Sequence, residues 1–374
     1  ASPCIDKGNS SYIPGEITTD IDGRTRIKGN NVDIGAYEGA WLIVPLIYNT
    51  IQSAIDSANS GDIVVVTNGT YKGSGNKNID FGGKSIYLTS IGGAQSCIID
   101  CENSGRGFYF RRGETHEAVI EGFTIQNASI SYGGGIRCDS SSPTIIKCII
   151  KNNTVTSSGA GIYCTQNSNP LIINCMIVNN SASYSGGGLY CSESNVTLFN
   201  CNISDNRVTT SGGAGLCVYS STNVTVTNCT ITNNTTGGRG GGLTSYESTT
   251  NLYNTIIWAN SASIGKQINT WDSNSTVNLY NCDYANNLLD MLNISGLGEF
   301  TPVSCINSDP RFVNQWSNGD YHLRSSSPCI DAGNNSFITN ISTLLGDIPV
   351  VDLDDNPRII NGIVDIGAYE YSSQ

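Results

Sequence analysis

A motif that returns every 26 to 28 residues through the middle of the chain constrains the fold more than any single residue does. From Gly133 onward the copies read GGGIRCDSSSPTIIKCIIKNN, GAGIYCTQNSNPLIINCMIVNN, GGGLYCSESNVTLFNCNISDN, GAGLCVYSSTNVTVTNCTITNN and GGGLTSYESTTNLYNTIIWAN. Each copy has a glycine turn, a short apolar strand, a polar turn, a second strand centred on Cys or Thr, and an Asn-rich exit. One such unit cannot bury its own apolar face and must stack on its neighbours, which makes a solenoid. The strands are short and alternate apolar with polar residues, so the coils are β rather than α. An all-β chain wound as a parallel β-helix is therefore predicted. Regular coils run from about 131 to 262. Roughly twelve coils at about 4.8 Å would give a rod of about 60 Å.

Residues 50–60 (TIQSAIDSANS) are the one convincing helix, with Thr50 as N-cap, Ile51 and Ile55 on one face, and Gly61 as the stop. Placed before the first coil, this helix would cover an otherwise open β end. Coils between Ser85 and Phe110 are less regular, and Gly122 stands where the repeat would place Cys148. The pattern persists in VNLYNCDYANN (277–287), and a looser end follows.

Only 13% of the residues are charged, against about a quarter in ordinary domains. The net charge is -12, so no basic stripe exists for nucleic acid or for an anionic membrane surface. No stretch approaches the roughly 18 apolar residues of a membrane span. The first residues do not read as a signal peptide, which suggests a mature chain or a fragment. Fourteen cysteines and many N-x-S/T sequons favour an extracellular or cell-surface address. Asn68, Asn127, Asn195, Asn223, Asn274, Asn293 and Asn340 are the candidates for glycosylation.

The segments DPRFV (309–313), GDYHL (319–323), SPCIDAGN (327–334) and VDIGAYEY (364–371) carry a family resemblance. Together they resemble the terminal module of secreted right-handed parallel β-helix proteins of bacterial and archaeal surfaces. The glycine-plus-aliphatic elements of the coils also resemble polymorphic outer-membrane-protein repeats. This resemblance implies a right-handed coil and a role as a surface protein. A second copy of the terminal motif opens the chain, as SPCIDKGN (2–9) and DIDGRTRIKGNNVDIGAYEG (20–39). In it Cys4 matches Cys329, Arg26 matches Arg358 and Asp33 matches Asp365. Residues 1–40 thus read as the end of a preceding module, and 41–374 as a complete one with its terminal module at 305–371.

The cysteines fall in two columns. Cys138, Cys164 and Cys191 share one strand position, with Cys217 displaced by one residue. Cys148, Cys175, Cys201 and Cys229 share another, continued by Thr255 and Cys282. Inward-facing, they are either small packing residues or coil-to-coil disulfides, and packing is the simpler reading. Cys305 and Cys329 lie 24 residues apart, about one coil, and are expected to form a disulfide. Asn153, Asn180, Asn206 and Asn234 end successive repeats and should stack. Asp20 with Asp22, and Asp352 with Asp354, are candidate Ca²⁺ ligands unless Arg26 and Arg358 neutralise them.

Chemistry has few places to reside. Polysaccharide lyases of this shape need clustered carboxylates and a base, and glycosidases need paired carboxylates. The acids and bases of the regular coils do not recur at one position. The one charge-dense spot is Arg111, Arg112, Glu114, His116 and Glu117. Tyr163, Tyr190, Tyr219 and Tyr246 recur near the first strand and either stack for stability or offer rings to sugars. The expectation is a non-catalytic extracellular structural protein without cofactor, joined head to tail into a fibre, sheath or envelope layer, or acting as an adhesin. A carbohydrate-active enzyme or carbohydrate-binding module is the alternative, with glycans as the second possible partner after the chain itself.

Overall fold

Every regular coil turns at four backbone positions in the left-handed region. In the coil that begins at Gly159 these are Gly159 (φ 69°), Gln166 with Asn167 (56° and 60°), Asn174 (51°) and Asn179 (56°). Glycine enters this region freely and asparagine more readily than other side chains, which explains the Gly- and Asn-rich composition. The bends cut each repeat into four strands, here Ile162–Thr165, Leu171–Ile173, Met176–Val178 and Ser181–Ala182. The expected second strand centred on Cys is therefore two strands, with a corner at the residue before the cysteine.

The computed structural model describes residues 8–12, 41–221, 223–285, 298–314, 319–345 and 348–372. Equivalent strands stack in parallel into sheets of eleven, seven, nine and five strands, forming a right-handed parallel β-helix. Eleven strands leave ten intervals of about 4.8 Å, roughly 48 Å, shorter than the expected rod. Register is held by columns of identical or similar side chains. Ile145, Ile172, Leu198, Val226, Leu252 and Leu279 form one such column, each fully buried. A one-residue slip would turn the whole column to the outer face.

Toward the N-terminal coils the bore is filled by aromatic rings. Phe81 and Phe110 meet edge-on at 4.9 Å, and Phe108 lies 6.4 Å from Phe123. Phe123, not Gly122, occupies the level of Cys148, because Thr124 pairs with Ile149. Gly122 (φ 77°) takes the corner held by Lys147 in the next coil. The capping helix spans Ile51–Ser57, with Thr50 Oγ1 accepting from Ser53 N at 3.2 Å. Its Ile51, Ala54 and Ile55 are buried over the first coil, as the apolar face requires.

Inside the coils the asparagine stack is complete. Asn153 Nδ2 donates to Asn180 Oδ1 (3.0 Å), Asn180 to Asn206 (3.1 Å), Asn206 to Asn234 (3.0 Å), and Asn234 to Asn260 (3.0 Å). Each amide also donates to a main-chain carbonyl, for instance Asn206 Nδ2 to Ile177 O at 2.8 Å. Each oxygen accepts the main-chain N–H of the previous ladder residue, as Asn206 Oδ1 does from Asn180 N at 3.0 Å. A buried polar row is tolerable only when every member is satisfied in this way.

Beyond Ile306, which still bridges to Asp283, the terminal module does not prolong the rod. Its hairpin (Phe312–Asn314 with Asp320–Leu323), its helix (Asn335–Leu345) and the segment 351–372 fold back along the flank of the coils. Ile338 and Val364 pack on Ile146, Leu171, Ile173 and Phe199. Ile366, Ala368 and Tyr369 cluster with Ile256, Phe312 and Tyr321. Strands beneath the module, such as Leu171–Ile173, are accordingly buried on both faces. Strands of the seven-stranded sheet, such as Ile162–Thr165, alternate buried with half-exposed.

Candidate functional site

Among the described residues, four regions collect side chains able to do chemistry. The charge-dense spot is the first, and its groups are engaged within the fold. Arg111 Nε lies 2.9 Å from Asp80 Oδ2, and Arg112 Nε lies 3.7 Å from the same oxygen. Glu114 is buried and accepts from Gly83 N (2.9 Å), Arg112 N (2.9 Å) and Ser141 Oγ (2.8 Å), which ties two coils together. His116 Nε2 sits 2.8 Å from Asn169 O. Glu117 is exposed, whereas Glu114 is buried.

The thiol columns are the second. Register pairs Cys138 with Cys164 and Cys164 with Cys191, and Cys148, Cys175, Cys201 and Cys229 form the other column. All are buried and unbridged. Cys148 Sγ donates to Ile146 O (3.3 Å), Cys175 to Ile173 O (3.2 Å) and Cys201 to Phe199 O (3.3 Å). Burial pushes these three thiols well above the ordinary range, so they stay protonated. Packing, with a weak donor turned to a carbonyl, is their structural role.

The expected Cys305–Cys329 disulfide is absent. Cys305 continues the inner column, its sulfur accepting from Cys282 N at 3.4 Å. Cys329 travels with the terminal module to the flank, where Sγ lies 3.1 Å from Asp283 Oδ2. The 24-residue spacing matched a coil, but the chain leaves the coil path between them. The Cys282 thiol holds Cys305 down to about 7, and burial lifts Asp283 to about 7.

The flank is the third region. Arg358 is fully buried, with Asp365, Glu370 and Asp352 around it. Its guanidinium lies 3.4 Å from Glu370 Oε1, and Asn228, its amide oxygen turned inward, accepts from Arg358 Nε at 3.1 Å. Three carboxyls share one guanidinium, and burial raises Glu370 to about 8. The calcium expectation fails here. Asp352 already accepts from Asp354 N (2.9 Å), Asn356 N (2.8 Å), Asn356 Nδ2 (3.3 Å) and Glu370 N (2.9 Å). Asp354 is held by His322 Nε2 at 2.5 Å, while His322 Nδ1 meets Asp320 at 2.5 Å. These two carboxyls lift His322 to about 9. Among the described residues no group of three or more His, Cys, Asp or Glu is placed to hold a metal ion. Asp20 and Asp22 lie outside the described residues.

Corner asparagines receive this module. Asn254 exchanges two bonds with Asn334, its Nδ2 donating to Asn334 O (3.1 Å) and its Oδ1 accepting from Asn334 N (2.8 Å). Asn174 Nδ2 donates to Asp352 O (3.3 Å) and Asn200 Nδ2 to Val351 O. Lys147 pairs with Asp355 at 2.5 Å. None of these contacts was signalled by the repeat itself. The hint was the adjacent aliphatic residues of TII and LII, which alternation alone cannot explain.

The fourth region is the outer face of the seven-stranded sheet, where aromatic rings gather. Tyr163 and Tyr190 stack at 5.1 Å and 11°, and Tyr219 and Tyr246 at 4.8 Å and 7°. They form two rows, because Tyr219 pairs in register with Ser192 and not with Tyr190. Among the candidate glycosylation sites Asn68, Asn223 and Asn274 are exposed. Asn127 and Asn195 are half-buried, with Asn127 Nδ2 donating to Asp100 at 3.0 Å. Asn293 and the side chain of Asn340 lie outside what the structure describes.

No curated protein matches the chain. Among solved structures it is similar to pectate lyase Pel9A, at 12% identity and a TM-score of 0.46, covering 86% of this chain and 90% of that one. It is also similar to pectin methylesterase from carrot, at 14% identity and a TM-score of 0.41, with 84% and 98% covered. At these identities the likeness concerns architecture alone. Residues 55–286 match the profile of the periplasmic copper-binding protein NosD, a span of more than half the chain that includes every regular coil. The chain therefore belongs to the NosD family of parallel β-helix proteins.

Proposed function

We propose that the chain is a non-catalytic structural protein working outside the cytoplasm, in the periplasm or at the cell surface, and that it links β-helix coils into a larger assembly. One observation carries this reading. The segment 2–39 repeats the residue set by which the C-terminal module clasps the flank. Arg26, Asp33, Glu38, Asp20 and Asn9 stand where Arg358, Asp365, Glu370, Asp352 and Asn334 make their contacts. The short piece described near the start agrees in detail. Asn9 Oδ1 accepts from Ser11 N (3.0 Å) and Oγ (2.7 Å), as Asn334 Oδ1 does from Ser336 N (3.0 Å) and Oγ (2.8 Å).

A module that buries an arginine among carboxyls needs a coil flank to complete it. The chain's own corner asparagines, from Asn174 to Asn254, are taken by the C-terminal copy. The N-terminal copy thus suits the flank of a neighbouring coil stack, which makes the head-to-tail joining expected from sequence a lateral clasp. Repeated, such a heterologous contact extends an assembly.

The family description names copper, and the described donors do not fit it. Copper favours thiolate, thioether and imidazole ligands. Here the thiols of the inner columns are enclosed, protonated and turned to carbonyls. His116 and His322 are engaged at separate places.

Light scattering on the intact chain, on a chain lacking residues 1–40 and on Arg26→Met tests the assembly. Self-association is expected for the intact chain and its loss in both variants, with the β-rich circular dichroism retained. An intact chain that stays monomeric at its highest soluble concentration would overturn the clasp. Incubation with polygalacturonate and with methylated pectin tests the non-catalytic part. Release of unsaturated ends or methanol, abolished by Arg111→Ala, would sink it.

A further inference from the structure

The displaced Cys217 has a consequence on the outer face. In the coils before it, Tyr163 and Tyr190 occupy the first outward position of their strands. Cys217 and then Thr244 take that position in the next two coils, in register with Tyr190. The tyrosines of those coils move two residues on, to Tyr219 and Tyr246. Removing two large rings from one row and adding them to the next opens a notch of about 270 Å³.

Cys217, Gly212 and Thr244 line the notch between the rings. Its walls are Tyr190, Tyr184, the Tyr219–Tyr246 pair and Trp271, the last standing at 85° to Tyr246 with centroids 6.0 Å apart. Tyr184, Tyr219 and Trp271 are exposed at 59%, 39% and 38%, so their rings are open to a ligand. Ser185 and Ser211 add hydroxyls. No lining side chain carries a charge, in a protein whose net charge is -12.

We propose that this notch binds a neutral saccharide. Aromatic walls offer the apolar faces that C–H-rich sugar faces stack on, and hydroxyl groups supply partners for sugar hydroxyls. The negative protein disfavours polyuronates and sulfated glycans, and the cation beside the lining, Arg239, is stacked on the Trp271 ring with its guanidinium 5.0 Å from the centroid. The notch sits on the seven-stranded sheet, away from the flank that the terminal module covers, so the site does not depend on assembly.

The test is tryptophan fluorescence and calorimetry with gluco-, manno- and galacto-tetraoses, alongside tetragalacturonate as the acidic control. One neutral tetraose should saturate the protein and shift Trp271 emission, a signal lost in Trp271→Phe. Cys217→Tyr, which restores the ring of the preceding coils, should weaken binding by about tenfold or more, and Trp271→Ala should do the same. Both substitutions lie at the outer face, and thermal unfolding checks that the coils persist. The proposal is overturned if no neutral tetraose binds, if binding survives both substitutions, or if tetragalacturonate is preferred. Binding by a chain that stays monomeric would separate this result from the assembly test.

Discussion

Among the columns of asparagine along this molecule, two do different work with the same side chain. The inner column (Asn153, Asn180, Asn206, Asn234 and Asn260) follows a left-handed bend, and its amides point into the coil. The amides bond one another along the stack, which Gln267 closes beyond Asn260, so the column is satisfied within the coils. The outer column (Asn174, Asn200, Asn228 and Asn254) occupies the bend itself, with φ of 46° to 51°. Its amides meet the terminal module. One residue of offset relative to the bend decides whether an asparagine holds the rod together or serves as a docking point.

The sharpest way to break this comparison is Asn206→Ala. It removes the acceptor of Asn180 N and one of the two acceptors of Asn180 Nδ2, and takes one donor each from Ile177 O and from Asn234 Oδ1, which keeps the main-chain N–H of residue 206. Several buried groups at about 1–3 kcal/mol each should cost more than about 3 kcal/mol of global stability, read by chemical denaturation. A loss under about 1 kcal/mol would mean that water replaces the ladder and the inner column is not self-contained.

Arg358→Met should come next, with an effect confined to the flank. The guanidinium is the counter-charge for Glu370 and Asp365, and removing it from a buried cluster costs about 3–5 kcal/mol. Hydrogen exchange should rise throughout 331–372 while Leu198 and Ile203 in the coils stay protected. If the coils lose protection as well, the module is part of the core and not a clasp.

A graded effect is expected from pH. Glu370 is raised by burial to about 8, and His322 by its two carboxyls to about 9. The folded module therefore binds more protons than the unfolded chain, from the ordinary glutamate range upward. Its docking should be firmest near pH 5 and weaken as pH rises through 8 and 9. Exchange rates in the helix Asn335–Leu345 at those pH values measure it, and tighter docking at pH 9 would contradict the protonated carboxyl. His322 and both its partners are more than a third exposed, so the larger share belongs to Glu370.

Asn254→Ala is the mildest change. It removes the reciprocal pair with Asn334 and should loosen docking by about 1–2 kcal/mol, with the coil stack untouched. An effect as large as that of Asn206→Ala would erase the distinction between the columns.

Much of the coil body was legible in the chain. A 27-residue period with Gly, Asn and Cys at fixed places demands stacked coils, and stacking places like residues together. That reasoning reaches the inner asparagines and the thiol columns, because each depends only on a residue's place in its own repeat, and the capping helix is read from its own N-cap and apolar face. It also mistook Gly122 for an interior residue and one bent segment for a single strand. A corner in the left-handed region is visible only where the residue is Gly or Asn, and Lys147 (φ 50°) hides one.

The site was harder to read, for a different physical reason. Asp352 and Asp354 looked like cation ligands because sequence shows carboxylates but not the N–H groups that saturate them. Cys305 and Cys329 looked like neighbours because spacing counts residues along a coil that the chain had already left. What the sequence determined by itself was everything periodic: the winding, the register, and the columns inside. What only the tertiary structure decided was everything that happens once, namely the return of the terminal module to the flank and the notch beside Cys217. A repeat specifies its own contacts many times over, so the pattern survives in the sequence. A single long-range contact leaves no period, and only the folded chain shows which surfaces it brings together.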